Sequence, residues 1–348
     1  MAVGLPLKTT YANGDVYSAS DVNDTNGTIN ANATPYAAGK NKIINGAFNV
    51  WQRGTSFTTN GVYTADRWKM DWIGSTPTTW SVSQQTFTPG AAPVAGYEGQ
   101  YFAQISVTTA GSTTAGYWYQ RVEDVRTFAG QTITYSFWAK ADSARTITIY
   151  PYQSFPATDW TGTGQNVTLT TSWARYSVTL AMPSVSGKTI GASSFMAALI
   201  QWSVASGASY QTWGHQMEAG STATPFQTAT GTIQGELAAC QRYYFRTTTN
   251  QPYALHGIGF GRASGSTADV IVRLPVTMRI TSQTVEYANL QLSVPGGSAA
   301  TITGIAASDE MSQDNAGLAV SATVTNAKPY FLGNSNNTAG YVAISAEL

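Results

Sequence analysis

The stretch Thr-Ile-Thr-Tyr-Ser-Phe-Trp-Ala, residues 132–139, decides the fold class of this chain. Its side chains follow a period of two, so Ile133, Tyr135 and Phe137 share one face of an extended strand. Three later segments alternate in the same way: residues 146–150, 167–171 and 175–180. Clusters of Gly and Pro separate them. Short alternating strands divided by turns predict a jelly-roll β-sandwich between residues 42 and 227.

One segment instead has helical periodicity. Between Gly231 and Arg246, the residues Leu237, Cys240 and Tyr244 recur at helical spacing, which predicts one short linking helix. Alternation then returns in four segments: residues 268–274, 284–294, 318–325 and 341–346. The predicted fold is therefore all-β, with a jelly-roll β-sandwich followed by a second, smaller β-sandwich.

The 348 residues are too many for one ordinary core, and composition divides them further. Asn, Thr and Ala dominate much of residues 1–40, which predicts an extended or partly helical N-terminal arm with a short helix near residues 20–29. A disordered leader is an equally open interpretation. The predicted boundaries are an arm at 1–40, the jelly roll at 41–229, and the smaller sandwich with its leading helix at 230–348.

Composition excludes several classes of function. Charged residues make up 10% of the chain, against roughly 25% in an average soluble protein, and the formal net charge is zero. Scattered Lys and Arg give no electrostatic basis for binding nucleic acid. No window approaches about 18 continuous apolar residues, so membrane insertion is not expected. Residues 1–10 have no apolar segment for Sec export, and a single cysteine fits folding in a reducing cytoplasm.

Two motifs bracket the predicted jelly roll. The first is Ala-Phe-Asn-Val-Trp-Gln-Arg-Gly-Thr-Ser at 47–56, followed by Ala-Asp-Arg-Trp at 65–68. The second is Trp-Gly-His-Gln-Met-Glu-Ala-Gly at 213–220, followed by Ala-Thr-Pro-Phe at 223–226. Together with the run at 120–142, they resemble the jelly roll of fibre proteins from tailed bacteriophages. The chain is more distantly similar to the carbohydrate-binding modules of secreted glycosidases.

This resemblance implies a tail-fibre-like virion protein that is synthesised in the host cytoplasm. Its arm would dock onto other virion proteins, the chain would form a homotrimer, and it would attach to host-surface glycan without turnover. The main alternative is a purely structural virion component, such as a capsid decoration, collar or baseplate protein. A polysaccharide depolymerase is the less favoured alternative.

The residues themselves predict no catalytic, cofactor or metal site. His215 and His256 are the only histidines, so a histidine-rich metal site is excluded. His215 is expected to be packed or hydrogen-bonded, and Cys240 is expected in a core. The adjacent acids Glu123 and Asp124 would point to opposite faces of a strand, as would residues 309–310. The chain is therefore not expected to be an enzyme.

The aromatic residues are the candidates for ligand contact, because sugar rings stack on Trp and Tyr. Trp160 lies in a turn-rich segment that favours exposure, and Asp159 beside it could accept hydrogen bonds from sugar hydroxyls. Trp118 or Tyr119 could extend this platform, and Trp138 is a further candidate. Three other tryptophans fall inside the bracketing motifs and are assigned to packing: Trp51, Trp68 and Trp213.

Overall fold

The computed structural model describes residues 39–94, 96–113, 115–247, 251–295 and 297–348. Almost all of the predicted N-terminal arm, including its short helix, lies outside these ranges. Within them the chain is nearly all β with a single helix, which confirms the predicted fold class. No helix in the described ranges is long and apolar enough to span a bilayer.

The first sandwich contains two facing antiparallel sheets. In chain order its strands are β1 (Ser56–Phe57), β2 (Trp68–Ile73), β3 (Thr79–Thr86), β4 (Tyr101–Thr109), β5 (Ala115–Gln120), β6 (Val122–Glu123), β7 (Thr132–Ala141), β8 (Arg145–Ser154), β9 (Trp160–Thr161), β10 (Gln165–Leu169), β11 (Ala174–Ala181), β12 (Phe195–Trp202) and β13 (Ala208–Ala219). One sheet has the order β1-β3-β4-β13-β7-β11, and the other has the order β10-β8-β12-β5-β2. In the second sheet, strand β6 also pairs with β12, and strand β9 pairs with β8. The chain passes repeatedly from one sheet to the other, as in a jelly roll.

The opening and closing motifs of this sandwich lie side by side. The amide of Lys42 donates to the carbonyl of Met217 at 2.9 Å, and the amide of His215 donates to the carbonyl of Gly46 at 3.0 Å. A Cβ at position 46 would lie only 2.2 Å from the His215 carbonyl oxygen, so a side chain has no room there. This close approach ties the segment before β1 to β13.

The core between the sheets is aromatic. Trp68 and Trp118 are fully buried, with ring centroids 4.6 Å apart, and Phe48 stacks on Trp118 at 5.3 Å. The imidazole of His215 meets the edge of Trp68 at 4.7 Å. The predicted packing roles of Trp68 and of Trp213, which is also fully buried, are confirmed. Trp51 is half-buried against the same core.

His215 is a buried, neutral histidine. Its Nδ1 lies 2.6 Å from the Tyr135 hydroxyl and its Nε2 lies 2.7 Å from the Thr212 hydroxyl. The Thr212 hydroxyl already donates its proton to the carbonyl of Trp138 at 3.0 Å, so it accepts from Nε2–H, and Tyr135 donates to Nδ1. Complete burial lowers the pKa of His215 well below its usual value. The predicted packed and hydrogen-bonded role is confirmed.

The second sandwich follows helix α1 (Ile233–Gln241). Its strands are β14 (Tyr244–Arg246), β15 (Leu255–Gly261), β16 (Thr267–Arg273), β17 (Thr284–Ala288), β18 (Leu290–Ser293), β19 (Ala299–Ala300), β20 (Gly304–Ala307), β21 (Asn315–Ser321), β22 (Pro329–Asn334) and β23 (Tyr341–Ser345). A three-stranded sheet, β14-β23-β17, packs on a seven-stranded sheet, β19-β18-β22-β15-β16-β21-β20. The boundary residues 229 and 230 remain a prediction.

Two details of the second sandwich differ from the sequence prediction. The segment 284–294 is not one strand, because Asn289 has a positive φ of 52° and separates β17 from β18, which belong to different sheets. The helix is also shorter than predicted: Cys240 is buried as expected, but Leu237 is exposed and Tyr244 begins β14. Helix α1 begins at the N-cap Thr232, whose hydroxyl accepts from the amide of Gly235.

The two sandwiches meet at a seam centred on Arg67. Its guanidinium is buried, pairs with the carboxylate of Glu347, and donates to the carbonyl of Arg121 at 2.6 Å. The same group lies over the ring of Tyr243 at 3.4 Å. Arg53 adds a second contact to Glu347 at 3.2 Å. The partners of Arg67 therefore come from both sandwiches.

Helix α1 and the residues after it extend this seam. The carboxylate of Glu236 is buried and accepts from the amide of Asn45 at 2.7 Å. Glu123 receives the hydroxyl of Tyr243 at 2.6 Å and the guanidinium of Arg242 at 3.2 Å. The carboxylates of Glu123 on β6 and Glu236 on α1 therefore join the sandwiches and are not free for other chemistry.

We expect Trp68→Ala to lower the free energy of unfolding by about 3–5 kcal/mol, because it removes a fully buried ring from a core that can collapse only partly. Denaturant unfolding measures this loss. Trp51→Ala is the control and should cost less, because the Trp51 ring is only half-buried. An unchanged midpoint for Trp68→Ala would contradict the packing role.

We expect stability to fall as the pH drops below about 6.5, since unfolded histidine takes up a proton there while buried His215 stays neutral. The limiting slope is about 1.4 kcal/mol per pH unit for each such histidine. Burial also lowers the pKa of His256, which therefore acts in the same direction. Denaturation of wild type, His215→Gln and His256→Gln between pH 7.5 and 5 separates the two contributions. A slope that His215→Gln leaves unchanged would contradict the assignment.

Candidate functional site

The outer face of the sheet containing β2, β5, β8 and β12 carries a cleft of about 550 Å³. We call it the tyrosine cleft. The lining residues that define its chemistry are Asp71, Tyr117, Tyr119, Tyr152, Asp159 and Phe195. They come from strands β2, β5 and β8, from the start of β12, which lies between β5 and β8, and from the loop that leads into β9.

Strand alternation places these side chains. On β5, Trp118 points into the core, so Tyr117 and Tyr119 point outward into the cleft. On β8, Ile149 points inward and Tyr152 lies on the outer face. The same period of two that builds the apolar core therefore builds a row of tyrosines on the opposite face.

The rings of this face pack on one another. Tyr152 lies 5.8 Å from Phe195, and Tyr117 meets Tyr150 edge-on at 6.3 Å. Tyr119 and Phe195 are largely buried, whereas Tyr117 and Tyr152 remain partly exposed. The cleft thus offers aromatic surface on a rigid sheet, where little side-chain entropy is left to lose on binding.

Two carboxylates stand in the cleft as fixed hydrogen-bond acceptors. Asp71 accepts from the hydroxyl of Tyr119 at 2.6 Å and from the ammonium of Lys69 at 2.9 Å. Asp159 accepts from the hydroxyl of Tyr152 and from the hydroxyl of Ser154 at 2.9 Å. Each carboxylate is therefore held by a tyrosine of the cleft.

The local electrostatics keep Asp159 ionised. Partial burial opposes its ionisation, but hydrogen bonds from Tyr152, Ser154 and the amide of Phe155 outweigh this cost and lower its pKa. Burial and the bond to Asp159 raise the pKa of Tyr152 to about 12. Burial likewise raises the pKa of Tyr119. At neutral pH the cleft therefore presents neutral phenols beside an ionised Asp159.

Arg121 lies at the end of the cleft nearest the seam. Its guanidinium lies 4.8 Å from the centre of the Phe195 ring and donates to the main-chain oxygen of Leu348. A second nitrogen lies 3.5 Å from the Tyr119 hydroxyl. Arg121 and Leu348 both line the cleft, so this end contains residues from both sandwiches.

The structure brings together two of the five residues singled out from the sequence. Tyr119 and Asp159 both line the tyrosine cleft. Trp160 does not join them: it pairs with Gln153 across β9 and β8, whereas Thr161 pairs with Tyr152. Because paired residues on antiparallel strands share a face, half-buried Trp160 lies on the opposite side of the sheet. The predicted platform of Trp160 with Tyr119 is therefore wrong.

Trp118 and Trp138 are also corrected. Trp118 is fully buried, stacks on Phe48, and has no surface for a ligand to reach. Trp138 lies on an outer face, but residues 220–227 fold back over it, and its ring packs on Trp213 at 5.5 Å and on Phe226 at 5.9 Å. The apolar area of both rings is therefore used in packing, between the sheets for Trp118 and under the covering segment for Trp138.

Sequence reasoning missed several members of the site. Tyr117, Tyr152 and Phe195 line the cleft but were not selected. Alternation within residues 115–120 and 146–154 places Tyr117 and Tyr152 on outer faces, so the period of two is the sequence signal that identifies them. The nearness of Asp71 to Tyr119 follows from the pairing of β2 with β5, which local patterns do not give.

No group of three or more His, Cys, Asp or Glu in the described residues is arranged to hold a metal ion. The acidic loop at 309–315 is used for local bonds instead, since the carboxylate of Asp314 accepts from the hydroxyl of Thr277 at 2.6 Å.

Comparisons with known proteins give only distant similarities. No protein-family model and no curated protein match the chain. A CBM4 structure is 18% identical, covering 51% of this chain and 98% of its own, with a TM-score of 0.33. TmCBM61 in complex with β-1,4-galactotriose is 11% identical over 52% of this chain and 99% of its own, with a TM-score of 0.30.

A third similar structure is the enzymatically active domain of tailspike protein 4 from bacteriophage CBA120. It is 16% identical over 53% of this chain and 22% of its own, with a TM-score of 0.36. Similarities at this level assign neither a family nor a ligand to the chain.

Proposed function

We propose that this chain attaches non-catalytically to glycan through the tyrosine cleft. The observation that carries the proposal is the outward face of Tyr117, Tyr119, Tyr152 and Phe195, set between acceptor carboxylates. Sugar rings present apolar C–H faces that pack on aromatic rings, and their hydroxyls are hydrogen-bond donors. A rigid aromatic cleft with fixed acceptors provides both kinds of contact.

The cleft is partly open to solvent, so one copy is expected to bind weakly. Firm attachment then requires several copies acting on one surface. This agrees with the proposed context, a homotrimeric, tail-fibre-like virion protein that meets the host surface and docks on other virion proteins. The bracketing motifs at 47–56 and 213–220 support that context through their resemblance to fibre proteins.

Binding without turnover is proposed over hydrolysis on electrostatic grounds. A glycosidase needs one carboxylic acid with a raised pKa to protonate the leaving group. Asp159 has a lowered pKa instead, so it is ionised at neutral pH and has no proton to give. Its hydrogen bonds from Tyr152 and Ser154 leave acceptor capacity for ligand hydroxyls. Asp71 is bonded to Lys69 and Tyr119.

A structural role in the virion is the second candidate, and one observation favours it. The second sandwich exposes an apolar face formed by Ile258, Phe260 and Ile271, which are 49%, 59% and 54% exposed. Ile258 and Ile271 pair directly across β15 and β16. Adjacent exposed apolar side chains of this kind are typical of contact sites between proteins.

We expect Tyr117→Ala and Tyr152→Ala to remove most binding to immobilised glycan while leaving the unfolding midpoint nearly unchanged, because both rings are partly exposed. The probes are β-1,4-glucan, β-1,4-galactan, xylan and smooth bacterial lipopolysaccharide. Binding is measured by retention of the full chain, and hydrolysis by release of reducing ends.

Tyr253→Ala is the matched control, since Tyr253 is 59% exposed on the second sandwich, outside the cleft. It should bind like the wild type. Retention that survives Tyr117→Ala and Tyr152→Ala, or failure of the wild type to bind any probe, would contradict the proposed site. Release of reducing ends by the wild type would show an enzyme.

For the second candidate, we expect a trimeric mass for the wild type in light scattering at micromolar concentration. Phe260→Asp should shift it toward the monomer, because a charge on the apolar face cannot be buried without a partner. Tyr287→Asp is the control at another exposed aromatic residue. A monomeric wild type would contradict the trimer.

A further inference from the structure

We infer that Leu348 of the second sandwich forms one wall of the tyrosine cleft, so that glycan binding requires the two sandwiches to be docked. This inference rests on the proposed function and assigns the site to both sandwiches instead of the jelly roll alone. Residues 346–348 run on from β23 and cross the seam to the end of the sheet that carries the cleft.

Leu348 contacts the aromatic floor directly. Its side chain packs with the cluster formed by Tyr119, Phe195 and Ala197, and it lines the cleft. Its main-chain oxygen accepts from the hydroxyl of Tyr63 at 3.0 Å and from the guanidinium of Arg121. Residues of the first sandwich thus meet Leu348 both at its side chain and at its main-chain oxygen.

The position of Leu348 is set by the residues before it. The carboxylate of Glu347 is held by Arg53 and Arg67. Arg279 of the second sandwich donates to the carbonyl of Ala346 at 2.8 Å and to that of Glu347 at 3.0 Å. Contacts from both sandwiches therefore hold the backbone of residues 346–348 in place, so Leu348 is displaced only if the two sandwiches separate.

A continuous set of contacts leads from this wall to the acceptors of the cleft. Arg121, bonded to Leu348, lies within 3.5 Å of the Tyr119 hydroxyl, and that hydroxyl donates to Asp71 at 2.6 Å. Removal of the Leu348 side chain takes an apolar contact from Tyr119. Separation of the sandwiches would also take the main-chain acceptor of Leu348 from Arg121. Because coupling between two equilibria is reciprocal, a bound glycan should in turn stabilise the docked arrangement.

The test measures the affinity of full-length variants for whichever polysaccharide of the panel the wild type retains most strongly. Leu348→Ala should weaken binding about three- to tenfold, because it removes one apolar wall of the cleft while it keeps the main-chain oxygen that Arg121 contacts. Leu348→Met, which keeps an apolar side chain of similar size, should stay within about twofold of the wild type. Leu255→Ala, at an exposed leucine away from the seam, is the control and should bind normally.

Hydrogen exchange on the wild type gives a second measurement that needs no substitution. Saturating polysaccharide should slow exchange at the amides of residues 346–348 as well as along β5. Slowing along β5 alone, or unchanged affinity for Leu348→Ala, would overturn the composite site. The proposed function would still stand if Tyr117→Ala abolished binding in the same assay, and it would fail if Tyr117→Ala bound normally.

Discussion

Burial of the Arg67 guanidinium between the two sandwiches is the constraint on which the arrangement of the molecule depends. A buried cation is tolerated only with partners, and Arg67 has the carboxylate of Glu347, the carbonyl of Arg121 and the ring of Tyr243. Its backbone adopts a positive φ of 73°, a conformation that a non-glycine residue keeps only when its surroundings hold it. Separation of the sandwiches would leave the buried guanidinium of Arg67 without the carboxylate of Glu347. The contact between the sandwiches is therefore needed for the stability of the fold.

The tyrosine cleft is the outer counterpart of the jelly-roll core. Each strand that sends an apolar side chain inward sends the next one outward, so Trp118 and Tyr119 are neighbours in sequence and lie on opposite faces. The core fixes the strands, and the strands fix the spacing of the tyrosines. A rigid binding face on this sheet therefore follows from the packing beneath it.

The sequence predicts the strands well because their period of two is local information. It does not predict which outer face stays open, since that depends on distant segments. Phe226, from a segment distant in sequence, packs over Trp138, whereas Tyr119 lies at the edge of an open cleft. The contact between Arg121 and Leu348 spans 227 residues, and no local pattern encodes it. The aromatic composition of the site was predictable, but its membership was not.

The burial of Cys240 has a practical consequence. It is the only cysteine in the sequence, it lies on helix α1 beside the seam, and burial raises the pKa of its thiol. A thiol-specific reagent needs both access and the thiolate, so the folded chain should resist labelling. Any modification at neutral pH then reports local opening around α1. Its rate reflects the population of the open state, or the opening rate when labelling is faster than reclosing. Labelling of Cys240 therefore offers a single-site probe of local unfolding at the junction between the two sandwiches.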